Sequence, residues 1–236
     1  MDLWPPYLFA ASFVGQSAFA LASMAVLAGV SLPRPAASEI ASGRPLLEIV
    51  ATPKFAIAAL CGVVSYALMN LVMTSAPLAM RLCGLSLSDS NLGIQWHVLA
   101  MFGPSFFTGG LIARFGAGRI VGVGMLLTCA AAIVDLSGLT VWHFWTGLVL
   151  LGLGWNFGFV GASAMVVETH RPEERNKVQS FNDFVIFGTM ALGSFSSGKL
   201  LTSFGWDAVN WVAFPPIAIA LTALLGVGLL RGRVAA

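Results

Sequence analysis

The sequence predicts an all-α integral membrane protein with seven transmembrane helices, and three observations carry that reading. Of 236 residues, 58% are hydrophobic and 9% charged, whereas roughly a quarter of a soluble domain is charged. Seven apolar runs reach the length of about 20 residues that a helix needs to cross a hydrocarbon core of about 30 Å. The 12 Lys and Arg residues divide 10 to 2 when alternate connections are assigned to opposite sides. Mean hydropathy is +0.88, so the solvent is mostly lipid.

The expected spans run from Leu3 to Leu32, Phe55 to Met80, Ser90 to Ala113, Gly116 to Leu139, Val141 to Val167, Val178 to Thr202, and Trp206 to Leu230. Asp2 stands where a cleavable signal would carry Lys or Arg, and the first apolar run is too long for one, so this span is expected to stay in the mature chain. Cytoplasmic loops are enriched in Lys and Arg. Arg34, Arg44, Lys54, Arg114, Arg119, Arg171, Arg175, Lys177, Arg231 and Arg233 share one side, expected to be cytoplasmic, against Arg81 and Lys199 opposite. That puts the amino terminus outside and the carboxyl terminus inside, with Trp4, Trp142, Trp145, Trp206 and Trp211 near the outer boundary.

Residues 1–32 read as a first helix, 33–53 as a cytoplasmic linker and 54–236 as a six-helix unit. Pro33, Pro35, Ser38, Ser42, Gly43 and Pro45 mark the linker, and the segment from Pro45 to Thr52 has the pattern of a short interfacial helix. Glycines recur in the helices. Gly154 and Gly158 are four apart, a small-xxx-small spacing that admits a neighbouring backbone, and Gly188, Gly193, Ser194 and Gly198 offer small residues for similar packing. Cys61, Cys83 and Cys129 form no C-x-x-C pair; they read as small core hydrophobes rather than as a zinc site or a disulfide framework.

Polar groups within spans are costly and tend to face a cavity or one another. Gln95, Trp96 and His97 cluster in the third span and are candidates for lining a substrate path; a hydrogen bond to a neighbouring helix is the alternative for His97. Trp155 and Asn156 fall near mid-membrane, where the amide either bonds a substrate or clamps a facing helix. Tyr66 and Asn70 are four apart and share a face, expected to look inward. Asp135 reads as an interfacial carboxylate. Glu168, Arg171, Glu173, Glu174, Arg175, Lys177 and Asp183 cluster at one short connection, and Asp183, beside Asn182 in the first turns of the sixth span, is expected to latch onto Arg175 or Lys177.

The connection Gly109-Gly-Leu-Ile-Ala113-Arg114-Phe-Gly116-Ala-Gly-Arg119 resembles the glycine-and-arginine signature of the major facilitator superfamily. Gly109, Arg114 and Gly116 match it, and Ala113 replaces its acidic residue. The runs Gly152-Leu-Gly154-Trp-Asn-Phe-Gly158, Glu168-Thr-His-Arg171-Pro172-Glu-Glu-Arg175-Asn-Lys177-Val-Gln179 and Phe181-Asn182-Asp183 look like those of bacterial members of that superfamily. The resemblance implies two six-helix halves around a midplane site. The first span then matches the sixth helix of the family, and the other six match helices seven to twelve. It further implies a secondary transporter of a small organic solute working by alternating access in a bacterial inner membrane. An amino-terminal half would then be missing from this chain, which leaves a non-transporting membrane remnant or an assembly subunit as the alternative.

Other classes are excluded by residues. The seventh span holds no Lys for a retinal Schiff base, no G-x-x-x-x-G-K-[ST] phosphate loop occurs, and no nucleophile, base and orienting group share a spacing that suggests hydrolysis. No cofactor or metal is expected. Without a basic run or a basic stripe with interleaved aromatics, nucleic acid is not an expected partner; the expected partners are a small-molecule solute and the lipid bilayer.

Overall fold

The computed structural model describes residues 10–30 and 43–234, with side chains through residue 226. Trp4, Arg34 and the first half of the linker, and the side chains of Arg231 and Arg233, lie outside the described residues. The chain divides into two compact units, residues 1–41 and 42–236. The first contains α1 (Ala10–Ala28).

The second unit opens with α2 (Leu46–Val50), the short helix expected at the end of the linker, whose Ile49 is buried. Thr52 then caps α3 (Pro53–Leu82) by accepting the Phe55 N–H at 3.3 Å, with Pro53 in the first turn, where its missing N–H costs nothing. At 1.5 Å per residue these 30 residues reach about 45 Å, more than a hydrocarbon core requires. Ser86 and Asp89 form a capping box that starts α4 (Leu87–Phe102). The helix stops at Gly103-Pro104 and resumes as α5 (Ser105–Phe115), bent by 41°. Pro104 has no N–H to give and its ring collides with the carbonyl one turn back, so the expected third span is a broken one.

Gly116, at φ +86°, turns the chain from α5 into α6 (Ala117–Leu136). The fifth span is composite: α7 (Val141–Trp155), a π-turn over Asn156–Val160 and α8 (Gly161–Val167). A 3-10 turn, Pro172–Glu174, leads into α9 (Arg175–Trp211), which is interrupted at Gly205 (φ 83°, ψ 176°), and α10 (Phe214–Val234) follows. Among the described residues, five helical stretches are long and apolar enough to cross a membrane, or six with the broken pair taken as one. The last of the five, Pro172–Gly226, is 55 residues long. That is about 80 Å of helix, two crossings joined at the Gly205 break, which brings the number of crossings to the expected seven.

Within the second unit α3 is central, packing on α4, α7, α8 and α9, while α7 packs on α4 and α6. The Gly154 and Gly158 spacing does bring backbones together: a Cβ on Gly158 would collide with Ser65 of α3, one on Gly154 with Thr128 of α6, and one on Gly124 of α6 with the Gly158 backbone. Three helices thus meet at one line of small residues. Other expectations are corrected. Gly188, Gly193 and Gly198 have no neighbour within 4 Å of where a Cβ would sit, so they mediate no packing in this unit. Cys61 is buried but Cys83 is exposed, past the end of α3 rather than in the core. Trp206 is only 7% exposed and donates its indole N–H to the Asp135 carbonyl at 3.2 Å, whereas Trp142 and Trp211 are exposed. Asp135, at the end of α6, is buried against Gly147 rather than open to the surface.

Candidate functional site

Three elements of the second unit converge on Tyr66 of α3. Its ring meets Trp155 of α7, Phe159 of the π-turn and Phe187 of α9 edge-on, with centroids 5.6, 5.0 and 5.4 Å away. Trp155 and Phe159 stack at 5.2 Å and 15°, and Phe102 at the end of α4 closes on Trp155 at 5.8 Å. Stacking four residues apart is possible here because the π-turn takes more residues per turn than an α-helix, which brings positions i and i+4 nearly into line. Trp155 Nε1 is buried and has no hydrogen-bond partner. An unpaired buried indole N–H costs free energy until an acceptor reaches it, so this donor stands ready beside a wall of aromatic faces.

Asn70, one turn from Tyr66, donates to Ser194 Oγ at 2.6 Å and ties α3 to α9. Asn156 is fully buried: Nδ2 donates to the Met101 carbonyl at 2.6 Å and to Ser105 Oγ at 2.8 Å, while Oδ1 accepts from Thr108 Oγ1 at 2.6 Å. It clamps both sides of the Gly103-Pro104 break. His97 is also fully buried, with Nδ1 2.7 Å from the Leu148 carbonyl and Nε2 unpartnered. That contact makes Nδ1 the donor and leaves Nε2 a lone pair. Gln95 and Trp96 are exposed on α4. The structure therefore brings Tyr66, Asn70 and Trp155 together, sets Asn156 beneath them as a clamp, and separates His97 from Gln95 and Trp96 by the turn of one helix.

At the opposite end of these helices from Trp142, the linker is held by charge. Arg44 donates to Glu174 from its backbone N and from Nε at 2.9 Å each, and from Nη2 at 2.8 Å; the Arg171 backbone N–H adds a bond at 2.9 Å. Lys177 Nζ donates to the Arg44 carbonyl at 2.6 Å. The Glu174 side chain is fully buried. The Arg44 guanidinium first, then the Arg171 N–H, hold its carboxyl well below the usual carboxylate range, and the same pairing raises Arg44. This corrects the expected latch: Asp183 is exposed and, among the described residues, the one salt bridge is Arg44–Glu174. Asn182 is buried, Arg175 is exposed, and Arg114 lies over the Phe115 ring at 5.2 Å. Gly109 has no close neighbour, and Gly116, Arg119 and Glu168 line a cavity of about 720 Å³ with Lys54.

Sequence reasoning missed Arg44 and Glu174 as partners because they lie 130 positions apart. It also missed Phe102, Phe159 and Phe187. The one signal for Phe159 was its place four residues after Trp155, on the same helical face.

These long apolar helices, with an aromatic cluster inside the second unit, define an integral membrane protein. Residues 58–234 match the Major Facilitator Superfamily, and the chain belongs to it. It is 49% identical over 227 residues to the riboflavin transporter RfnT of Brucella anthropi, an alignment covering 95% of this chain and 57% of that protein. It is 34% identical over 138 residues to the uncharacterized MFS-type transporter YddS of Bacillus subtilis, covering 57% of this chain and 31% of that one. With YdeG of the same organism, another uncharacterized MFS-type transporter, it shares 32% over 152 residues, 64% of this chain and 35% of that protein. The chain thus spans about a third to just over half the length of these curated relatives.

Proposed function

We propose that this chain forms the carboxyl-terminal part of a secondary transporter that carries a small, planar heteroaromatic solute of the riboflavin type by alternating access. The supporting observation is the aromatic cluster around Tyr66, with the unpaired Trp155 indole N–H beside it. Flat π-systems bind between such rings, and a heteroaromatic ring supplies the carbonyl or ring nitrogen that an indole N–H needs. The 49% identity to a riboflavin transporter points the same way. Tyr66, Asn70, Trp155, Gln95 and Trp96 line the solute route in this reading; Asn156 and His97 support it from below. The route is completed by an amino-terminal half, and the 10-to-2 distribution of Lys and Arg orients the chain with its amino terminus outside a bacterial inner membrane. Transport, not catalysis, is the activity.

The test is accumulation of labelled riboflavin by bacterial cells that cannot take it up. The chain is expressed alone and fused behind the amino-terminal portion of the Brucella anthropi transporter. Saturable uptake by the fusion, reduced in Tyr66→Ala, supports the proposal. A membrane-inserted fusion without uptake of riboflavin or any flavin overturns it and leaves the non-transporting subunit.

A further inference from the structure

A second feature of the unit has no part in the aromatic route. The cavity of about 720 Å³ between the start of α3, the start of α6, the end of α8 and α10 is built of two chemistries. Its mouth carries Lys54 and Arg119, with Glu168 as the lone carboxylate, so the rim keeps one net positive charge. Much of the rest of its lining is apolar, formed by Ile57, Met165, Leu221, Leu224 and Leu225, the last of them largely exposed. All three charged residues lie at helix ends, hence at one boundary of the hydrocarbon layer. Among the described residues neither Lys54 nor Arg119 forms a salt bridge, and a Cβ on Gly116 or Gly118 would meet nothing within 4 Å, so the mouth is roomy as well as basic. The backbone N–H groups of Ala117 and Gly118, in the first turn of the 20-residue α6, have no partner inside the helix.

From this we infer that the cavity is a binding site for an anionic phospholipid, its phosphate held by Lys54 and Arg119 and one acyl chain lying along Leu221, Leu224 and Leu225. A soluble anion would leave the aliphatic wall uncovered, and a neutral lipid would leave the cations unused. A phospholipid supplies both, a phosphate for the cations and an acyl chain for the apolar residues, and so satisfies both parts of the lining.

The full chain, purified in detergent, is titrated with phosphatidylglycerol or phosphatidylcholine, and lipid retention is read by native mass spectrometry. Phosphatidylglycerol should be retained in preference to phosphatidylcholine. Each basic group beside an anionic lipid is worth a factor of about five, so K54Q/R119Q should bind phosphatidylglycerol roughly 25-fold more weakly. R81Q/K199Q, the same loss of charge at the other end, should bind as the parent does. Gly118→Leu keeps both charges and narrows the mouth, and should also bind more weakly. Equal retention of the two lipids, unchanged binding by K54Q/R119Q, or an equal loss in R81Q/K199Q would overturn the assignment. Displacement of the lipid by equimolar glycerol phosphate would also overturn it, in favour of a soluble anion.

Discussion

Glu174 and Trp155 are both buried polar groups, one saturated and one starved. Four donors from Arg44 and Arg171 surround the Glu174 carboxylate, so its folded-state affinity for protons lies below that of the unfolded chain. A lowered carboxylate contributes its full stability above the unfolded value of about 4.3 and loses it as pH falls toward the folded value. Glu174→Gln should therefore melt at lower temperature than the parent, by a margin constant between pH 5 and 8 that shrinks under more acid conditions; thermal unfolding followed by circular dichroism across that range checks it. Trp155 behaves oppositely. Trp155→Phe keeps the stacked ring and removes the orphan N–H, so protein stability should hold or rise while KM rises for the flavin transport proposed above. Tyr66→Ala removes three edge-on ring contacts. At about 0.5–1.5 kcal/mol for each aromatic pairing, loss of one solute contact should raise KM roughly two- to twelvefold, measured by initial uptake rates.

Two helices break their regular winding at the same depth, α4/α5 at Gly103-Pro104 and α7/α8 at the π-turn, and one amide joins them. Asn156→Ala would leave the Met101 carbonyl without that partner, while Thr108 keeps its bond to the Pro104 carbonyl and Ser105 is exposed. The expected cost is about 1–3 kcal/mol for a group left buried and unpaired, seen as a lowered unfolding midpoint in detergent. The glycine line separates just as cleanly. Gly158→Val should wedge the π-turn from Ser65 of α3 at about 1–3 kcal/mol of overpacking, whereas Gly188→Ala, in an open helix interior, should hold stability or raise it by up to about 1 kcal/mol. Hydropathy showed the helices and the 154/158 spacing, because length and small residues are local properties. It did not distinguish the packing glycines from Gly188 or Gly198, because which face meets a neighbour is decided by helices far away in sequence. Nor did it place Trp206, whose partner carbonyl belongs to Asp135, 71 positions earlier.

Taken whole, the second unit is a bundle with one end charged and clasped and the other rich in exposed Trp. Seven crossings were legible because lipid thickness sets a length rule that no tertiary contact overrides, while the aromatic site was half legible. Tyr66 and Trp155 stood out as polar-tipped aromatics in apolar runs, but Phe102 and Phe187 were indistinguishable from the many Phe that face lipid. Topology is testable on the complete chain: in a Cys-free background Asn176→Cys should react with a membrane-impermeant maleimide in inverted vesicles and not in intact cells. The bridge from Asn156 to the Met101 carbonyl also spans 55 positions of a chain that is made amino end first. At about 5–20 residues per second, the bend at Pro104 waits roughly three to ten seconds before its closing amide is even synthesised. During that interval the Met101 carbonyl lacks its amide partner, while the Thr108 hydroxyl is held by the Pro104 carbonyl of its own span. The third and fifth spans are therefore expected to leave the translocon as a pair, which site-specific crosslinking of each span to the insertion machinery during synthesis checks.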